Sequence, residues 1–211
     1  MVSIKFIALS FAYITFSRSK GLLGMFDSQA ADWIYQFSKL KPNLRIGIYG
    51  HYFPPSEKQT LAKLRDRLRS DADYSQTYLV EDLRDSEEFR KDNFLKSIFA
   101  LENSNINLIV LTFKGLSQGA IRELDYILAN PQLVFKSAVL VESEYDQEGN
   151  AVKRAFTSLF EKDLAAVNFR VADFERGDIE KMYRLARGIV TDLFYYYIKN
   201  LRHEIREAKL I

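Results

Sequence analysis

The sequence predicts an α/β protein in which helices cover both faces of a mostly parallel sheet. Two observations predict this class. From Leu44 to the C-terminus, short apolar segments alternate with stretches of helical periodicity, which is the pattern of repeated strand–helix–strand units. The third apolar segment, residues 106–113 (INLIVLTF), is almost continuously apolar, as expected of a strand that is covered on both faces.

Five strands are expected in this sheet. They lie at residues 45–49, 77–80, 106–113, 137–141 and 166–172. The second segment is short and the fifth alternates between apolar and polar residues, so both are suited to the edges of the sheet. Because crossovers between parallel strands are right-handed, few arrangements remain. The order 2-1-3-4-5 fits best and gives a three-layer, flavodoxin-like sheet of five parallel strands.

Helices are expected between the strands. The helix over 86–102 is expected to bury six apolar side chains, Phe89, Phe94, Leu95, Ile98, Phe99 and Leu101. A loop containing Asp146 and Gly149 is expected to precede a helix that ends near residue 163. The final helix runs to about residue 208 and carries an apolar stripe along its whole length. Its outer half, from Tyr195 onward, requires a cover, which either N-terminal helices or a second copy in a homodimer would supply.

Residues 1–43 are expected to form an N-terminal extension of two helices, ahead of an α/β domain at 44–211. The apolar run at 6–16 is shorter than the roughly 20 residues that span a membrane. No small-residue cleavage pattern follows the run. We therefore expect a packed helix in a cytoplasmic protein without a membrane partner. An anchor or signal segment and an over-long gene start are the alternatives.

Composition excludes several classes of function. The 211 residues include no Cys and two His, His51 and His203, which excludes thiol chemistry and Cys-ligated metals and does not favour a His-rich metal site. The net charge of +2 does not favour nucleic acid as a partner. Acidic residues are concentrated at 45–150, where the first four strands lie. An acidic rim suits a sugar or nucleoside better than a triphosphate. No cofactor and no metal are implied.

One helix start carries most of the functional information. In sheets of this order, ligands bind at the carboxyl ends of the strands, between strands one and three. The segments expected to meet there are 50–56, 81–86 and 114–123. Gly115, Ser117 and Gly119 follow the most buried strand and open a helix, where free N–H groups favour an anion or a sugar hydroxyl. The same three residues match a GxSxG nucleophile elbow, for which His203 would be the sole downstream histidine. A serine hydrolase using Ser117 is therefore one alternative.

Glu123 is the second candidate on this helix. At 100° per residue, its side chain points to the edge of the buried stripe, in the second turn and near the strand ends. A carboxylate placed there can reach the cleft at the switch point. The alternative is a solvated glutamate paired with Arg122.

Three segments resemble the nucleoside 2-deoxyribosyltransferase-like superfamily and the related Toll/interleukin-1 receptor (TIR) domains. They are residues 45–50 (RIGIYG) with the aromatic and proline residues that follow, 105–111 (NINLIVL) and 117–124 (SQGAIREL). The last segment resembles the "D-x-G-x-x-x-E-L" helix start of the transferases and the "S-x-x-x-x-x-E-L" helix start of TIR domains that cleave NAD. The resemblance covers just under half of the chain.

The resemblance implies specific roles. In both groups, the glutamate that corresponds to Glu123 is the catalytic carboxylate at a glycosidic bond, and Gly119 matches the motif glycine. Ser117 stands where the transferases have Asp, which puts ribosyl transfer in doubt. The matching Gly50 loop would place Tyr52 or Phe53 against a base. Asp82 is the preferred ligand for ribose hydroxyls, with Glu81 and Asp85 as alternatives.

These residues predict a nucleoside- or nucleotide-processing N-glycosidase or glycosyltransferase, with a nucleoside or nucleotide small molecule as partner. The other interpretations are a non-catalytic nucleotide-binding or oligomerising module of the same fold, and the Ser117 hydrolase. The sequence is compatible with an enzyme and with a non-catalytic module.

Overall fold

The structure is a computed structural model that describes residues 43–115, 118–155 and 158–208. The two helices expected before residue 41 lie outside these ranges, as does Ser117. The strands are β1 (Ile46–Gly50), β2 (Thr77–Leu79), β3 (Ile106–Leu111), β4 (Ser137–Tyr145), β5 (Ala151–Arg154) and β6 (Arg170–Phe174). The α-helices are α1 (Pro55–Arg69), α2 (Glu87–Lys91), α3 (Asn93–Asn103), α4 (Gln118–Ala129), α5 (Pro131–Val134), α6 (Ser158–Ala166) and α7 (Ile179–Ala208).

The sheet confirms the predicted fold class and strand order. Strands β2, β1, β3, β4 and β6 run parallel in that spatial order, and β6 is the strand predicted as the fifth. Ile46 pairs with Thr77 on one side and with Ile106 on the other. Because the chain crosses from β1 to β2 in one direction and from β2 to β3 in the other, right-handed crossovers put α1 and α3 on opposite faces. The result is three layers.

The sheet differs from the prediction in two places, after β4 and at the start of β6. The expected loop after β4 is a hairpin, since β5 pairs antiparallel with the end of β4. Asp146 closes the turn by accepting the backbone N–H groups of Glu148 and Asn150 at 2.9 and 2.8 Å. Strand β5 is short and exposed, so it carries no apolar pattern that a sequence argument could use.

The expected strand at 166–172 begins too early. Helix α6 continues to Ala166, and Asn168 then turns the chain with a φ of 50° before β6 starts. The apolar–polar alternation that suggested a strand therefore runs across a helix end, a turn and the first strand residues. Phe169 is buried, whereas Val167 and Val171 are exposed.

The core lies on both sides of the central strands. Strands β1 and β3 are buried at every residue. On one face, side chains of α3, α4 and α6 share a cluster with the sheet, formed by Tyr49, Ala100, Leu101, Ile109, Leu124, Ile127, Val139 and Leu164 among others. Helix α1 contributes Leu61, Leu64 and Leu68, all buried, and packs on β1 and β2.

Helix α3 presents a different face from the one expected. The predicted single helix is divided at Asp92, which caps α3 by accepting the backbone N–H of Phe94 at 2.8 Å. Leu95 and Phe99 were expected to be buried but are exposed. The buried face carries Leu101, as predicted, together with Lys96, Ser97 and Ala100. Two polar side chains are therefore turned inward near the start of the helix.

The described residues belong to two compact units. One unit, Pro42–Leu193, contains the sheet and its helices, including the buried first part of α7. The described part of the other is the C-terminal half of α7 from Phe194, in which the rings of Phe194 and Tyr195 lie 5.7 Å apart. None of the described helices combines the length and the apolar character needed to cross a lipid bilayer.

Candidate functional site

A cleft of about 770 Å³ opens at the carboxyl ends of β1 and β2. Its walls come from the loop after β1, the turn after β2, the first two turns of α3 and the start of α4. The loop after β1, the turn after β2 and the start of α4 belong to the segments that the sequence predicted to meet at the strand ends, whereas the contribution of α3 was not predicted. Of the predicted site residues, the cleft brings together Gly50, Tyr52, Phe53, Gly119 and Glu123.

Gly50 ends β1 at the cleft, where β1 approaches β3 closely. A Cβ atom added to Gly50 would lie 2.8 Å from the carbonyl oxygen of Val110 on β3. Real side chains do not tolerate such a contact with rigid backbone, so glycine is required for β1 and β3 to end side by side.

Glu123 lies in the second turn of α4 and lines the cleft, with 6% of its surface exposed. Its Oε1 accepts a hydrogen bond of 2.6 Å from the hydroxyl of Ser97 on α3. Its Oε2 is buried and has no hydrogen-bond partner among the residues that the structure describes. Glu123 is therefore not the solvated glutamate of the alternative interpretation. Arg122 instead places its guanidinium over the ring of Phe94, 4.3 Å from the ring centre.

Burial changes the acidity of this carboxyl. Removal from water disfavours the charged form and raises the pKa of Glu123 from its ordinary 4.5 to about 7, while the Ser97 hydrogen bond acts in the opposite direction. Near neutral pH, both the carboxylate and the carboxylic acid are therefore populated. A carboxyl poised in this way serves as a nucleophile, a general base or a general acid.

The two aromatic residues after Gly50 occupy different positions. The hydroxyl of Tyr52 donates to the carbonyl of Ile48 at 3.4 Å, so its ring is part of the wall. Burial, and next the nearby Glu123 carboxylate, raise the pKa of Tyr52 well above its usual range. Phe53 is 71% exposed at the rim, and its ring centre lies 6.5 Å from that of His51 with the two ring planes nearly perpendicular. Phe53 therefore presents an exposed aromatic ring at the rim of the cleft.

Asp82 does not line the cleft. Its carboxylate pairs with Arg65 of α1 at 2.9 Å and with Arg69 at 3.5 Å, and it also accepts the backbone N–H of Leu79 at 3.0 Å. These contacts tie the end of β2 to α1. The carboxylates from this region that do line the cleft are Glu81, which pairs with Lys58, and Asp85.

Lys96 contributes a nearly buried positive charge. It is 8% exposed, and its ammonium group donates to Asp85 Oδ1 at 2.7 Å. This contact lowers the pKa of the Asp85 carboxyl. With Arg122, Lys96 is outnumbered by the acidic residues of the cleft lining, Glu81, Asp85, Asp92 and Glu123. The cleft therefore has an acidic character, in keeping with the acidic stretch at 45–150.

Sequence reasoning missed Lys96 and Ser97. The available signal was a break in the apolar stripe of α3, because Lys96 and Ser97 precede Ala100 and Leu101 by four positions. Residues at this spacing share a helix face. A polar pair at the start of an otherwise buried face, close to a strand end, is a candidate for a site.

The structure describes the side chain of neither Ser117 nor His203, the two residues of the hydrolase interpretation. Ser117 lies outside the described residues, and His203 is described by its backbone alone, in the C-terminal half of α7. Within the ranges that the structure covers, no group of three or more His, Asp or Glu residues could hold a metal ion.

Comparison of the sequence with protein-family models finds no match, and comparison with curated protein sequences finds none either. The fold and the geometry of the cleft are therefore the basis for any assignment.

Proposed function

We propose that this protein is an N-glycosidase or glycosyltransferase-like enzyme that acts on a small nucleoside or nucleotide, with Glu123 as its catalytic carboxylate. One observation carries the proposal: a buried carboxyl group lines an open cleft at the carboxyl end of the sheet, and one of its two oxygens is held by Ser97. A structural glutamate on this helix would instead be solvated or paired with a cation.

The chemistry follows from the position of this group. When the bond between the sugar C1′ and the base nitrogen breaks, the base leaves with the electron pair and positive charge develops on the sugar. The Glu123 carboxylate either stabilises that charge or forms a covalent bond to C1′. Water, or the hydroxyl or base of an acceptor, then attacks C1′, and the proton that the attacking group loses goes to solvent or to the departing base. The reaction requires neither a metal nor a cofactor.

The remaining walls fit the parts of such a substrate. Phe53 offers an exposed ring face to a base, and base–aromatic stacking is worth about 1–3 kcal/mol. Glu81 and Asp85 line the cleft and can accept hydrogen bonds from ribose hydroxyls. This role passes to them from Asp82, which does not line the cleft and is held by Arg65 and Arg69. The excess of carboxylates favours a substrate with few phosphates.

The proposal is tested with a panel of nucleosides, nucleoside monophosphates and NAD, with the released base measured by chromatography. Glu123→Gln and Glu123→Ala should abolish base release. Asp125→Asn is the matched control, because it removes an exposed carboxylate from the same helix and should leave the rate unchanged. If no member of the panel is cleaved or bound, the proposal is wrong.

A non-catalytic nucleotide-binding module is the second candidate. The observation that favours it is the raised pKa of Glu123, since a neutral carboxyl group can donate a hydrogen bond to a ligand. Binding that is measurable by calorimetry, without turnover and without loss in Glu123→Gln, would favour this candidate over the enzyme.

A further inference from the structure

Ser97 and Glu123 connect two neighbouring helices inside the cleft. Ser97 Oγ on α3 lies 2.6 Å from Glu123 Oε1 on α4, and both residues line the cleft and are buried. A hydroxyl at this distance from a carboxylate donates a short, charge-assisted hydrogen bond to it. The two oxygens of Glu123 are therefore inequivalent.

We propose that Ser97 is a positioning residue, which holds Oε1 of Glu123 and thereby leaves Oε2 as the oxygen that meets the substrate. This inference rests on the proposed function for its effect on turnover. Its effect on the carboxyl group itself can be measured in the protein without any ligand.

The location of the proton follows from this hydrogen bond. While Ser97 donates to Oε1, a proton taken up by Glu123 binds to Oε2, because the hydrogen bond makes Oε1 the less basic of the two oxygens. The reacting oxygen is then a nucleophile when the carboxyl is ionised and a proton donor when it is neutral. The Ser97 hydrogen bond favours the ionised form and so keeps the nucleophile populated near neutral pH.

Other titratable groups surround Glu123 and must be accounted for. Tyr49, His51 and Tyr52 come from β1 and its loop, and Glu81 and Asp85 from the segment after β2. Asp92 and Lys96 come from the start of α3, and Arg122 precedes Glu123 on α4. Ser97 carries no charge, so its substitution leaves this set intact. A shift caused by removing its hydroxyl therefore reports the hydrogen bond.

The experiment is a pH titration of the Glu123 side-chain carboxyl by 13C NMR in glutamate-labelled protein, with Glu123→Gln identifying the resonance. In Ser97→Ala, the titration midpoint should rise by about one pH unit or more, because a hydrogen bond to a charged group is lost. Ser97→Thr retains the hydroxyl and should stay near the wild-type midpoint. Ser137→Ala is the matched control, since it removes a buried hydroxyl from the opposite end of the sheet and should not shift the midpoint.

An unchanged or lowered midpoint in Ser97→Ala would overturn the proposal. If Ser97→Ala fails to fold, Ser97→Cys keeps the size and weakens the donor. Its midpoint should rise by a smaller amount, and an unchanged midpoint would again count against Ser97.

Turnover gives a second, separate readout. With a substrate that the wild type cleaves, Ser97→Ala should lower kcat by roughly tenfold, leave KM nearly unchanged and move the acidic limb of the pH–rate profile to higher pH. Ser97→Thr should restore both. A titration shift in a protein that cleaves nothing would contradict the proposed function while leaving the hydrogen-bond assignment in place.

Discussion

The guanidinium of Arg65 contacts both carboxylate oxygens of Asp82, at 2.9 and 3.1 Å from the same nitrogen. Arg65 belongs to α1, and Asp82 ends the turn that follows β2. The pair therefore fixes the strand end that supports one wall of the cleft, while Asp82 itself stays outside the lining. This arrangement makes Asp82 a structural residue, although it is next in sequence to Glu81, which lines the cleft.

Asp82→Asn should lower the free energy of unfolding by about 1 kcal/mol, because it weakens a partly exposed ion pair. Urea denaturation measures this change. Base release should remain near the wild-type rate. Asp66→Asn provides the control, since Asp66 also pairs with Arg65 but is 61% exposed at its side chain and should cost less. A large loss of turnover in an Asp82→Asn variant that still folds would show that Asp82 contributes to substrate binding.

Glu123→Gln should change the pH dependence of stability. The carboxyl has a pKa of about 7 in the folded protein and an ordinary value of 4.5 when unfolded, so the folded state binds the proton more tightly. Its stabilising contribution is therefore complete below about pH 4 and is lost as the pH rises through about 7. Glutamine imitates the neutral form at every pH.

The wild type and Glu123→Gln should have similar unfolding free energies near pH 4. Near pH 8, Glu123→Gln should be the more stable by up to roughly 3 kcal/mol. Denaturant titrations at the two pH values give the comparison. A stability difference that stays constant between these pH values would contradict the raised pKa.

Gly50→Ala should destabilise the fold by about 1–3 kcal/mol, since the new methyl group would meet the backbone of β3 at Val110. The thermal unfolding temperature should fall accordingly. Gly188→Ala is the control, for which the opposite change in stability is expected. Gly188 lies in α7, where no described atom outside the helix's own backbone is within 4 Å of the added Cβ, and alanine there should stabilise the helix by up to about 1 kcal/mol. Equal effects of the two substitutions would contradict the close approach of β1 and β3.

Phe53→Ala should raise KM for the substrate by roughly tenfold to a hundredfold and leave stability nearly unchanged, because the ring is exposed and its role is to stack on a base. Steady-state kinetics measure the change. Phe135→Ala is the comparison, since Phe135 is also partly exposed but precedes β4 at the other end of the sheet. An unaltered KM in Phe53→Ala would exclude stacking on Phe53.

The sequence predicted the central part of the fold well because β1, β3 and β4 are buried, and burial on both faces leaves an apolar run that is readable without a structure. Strand β5 has no such run, since its side chains are exposed. Strand β5 forms because the chain turns at Asp146 and because β4 extends to Tyr145, beyond the end predicted at residue 141.

The candidate site was predictable to a lesser degree. The position of Glu123 followed from helical geometry, because α4 packs on β1 and β3 with a regular apolar stripe. The partner Ser97 could not be identified in the same way, since it is 26 positions away in the chain and on another helix. The sequence also could not show which of Glu81, Asp82 and Asp85 lies in the cleft. Three nearby carboxylates have the same chemistry and each pairs with a cation, and it is their position in the fold that shows which of them line the cleft.

Strand β1 reaches the cleft at Gly50 and pairs with two strands that come later in the chain, joining Ile46 to Thr77 and to Ile106. These pairings close loops of roughly 30 and 60 residues, so β1 acquires its hydrogen bonds only when distant parts of the chain have come together. Its amide hydrogens are therefore expected to exchange with solvent through global unfolding and not through local opening. A ligand that binds in the cleft would slow that exchange along the whole strand, so hydrogen exchange can detect binding even when no product is formed.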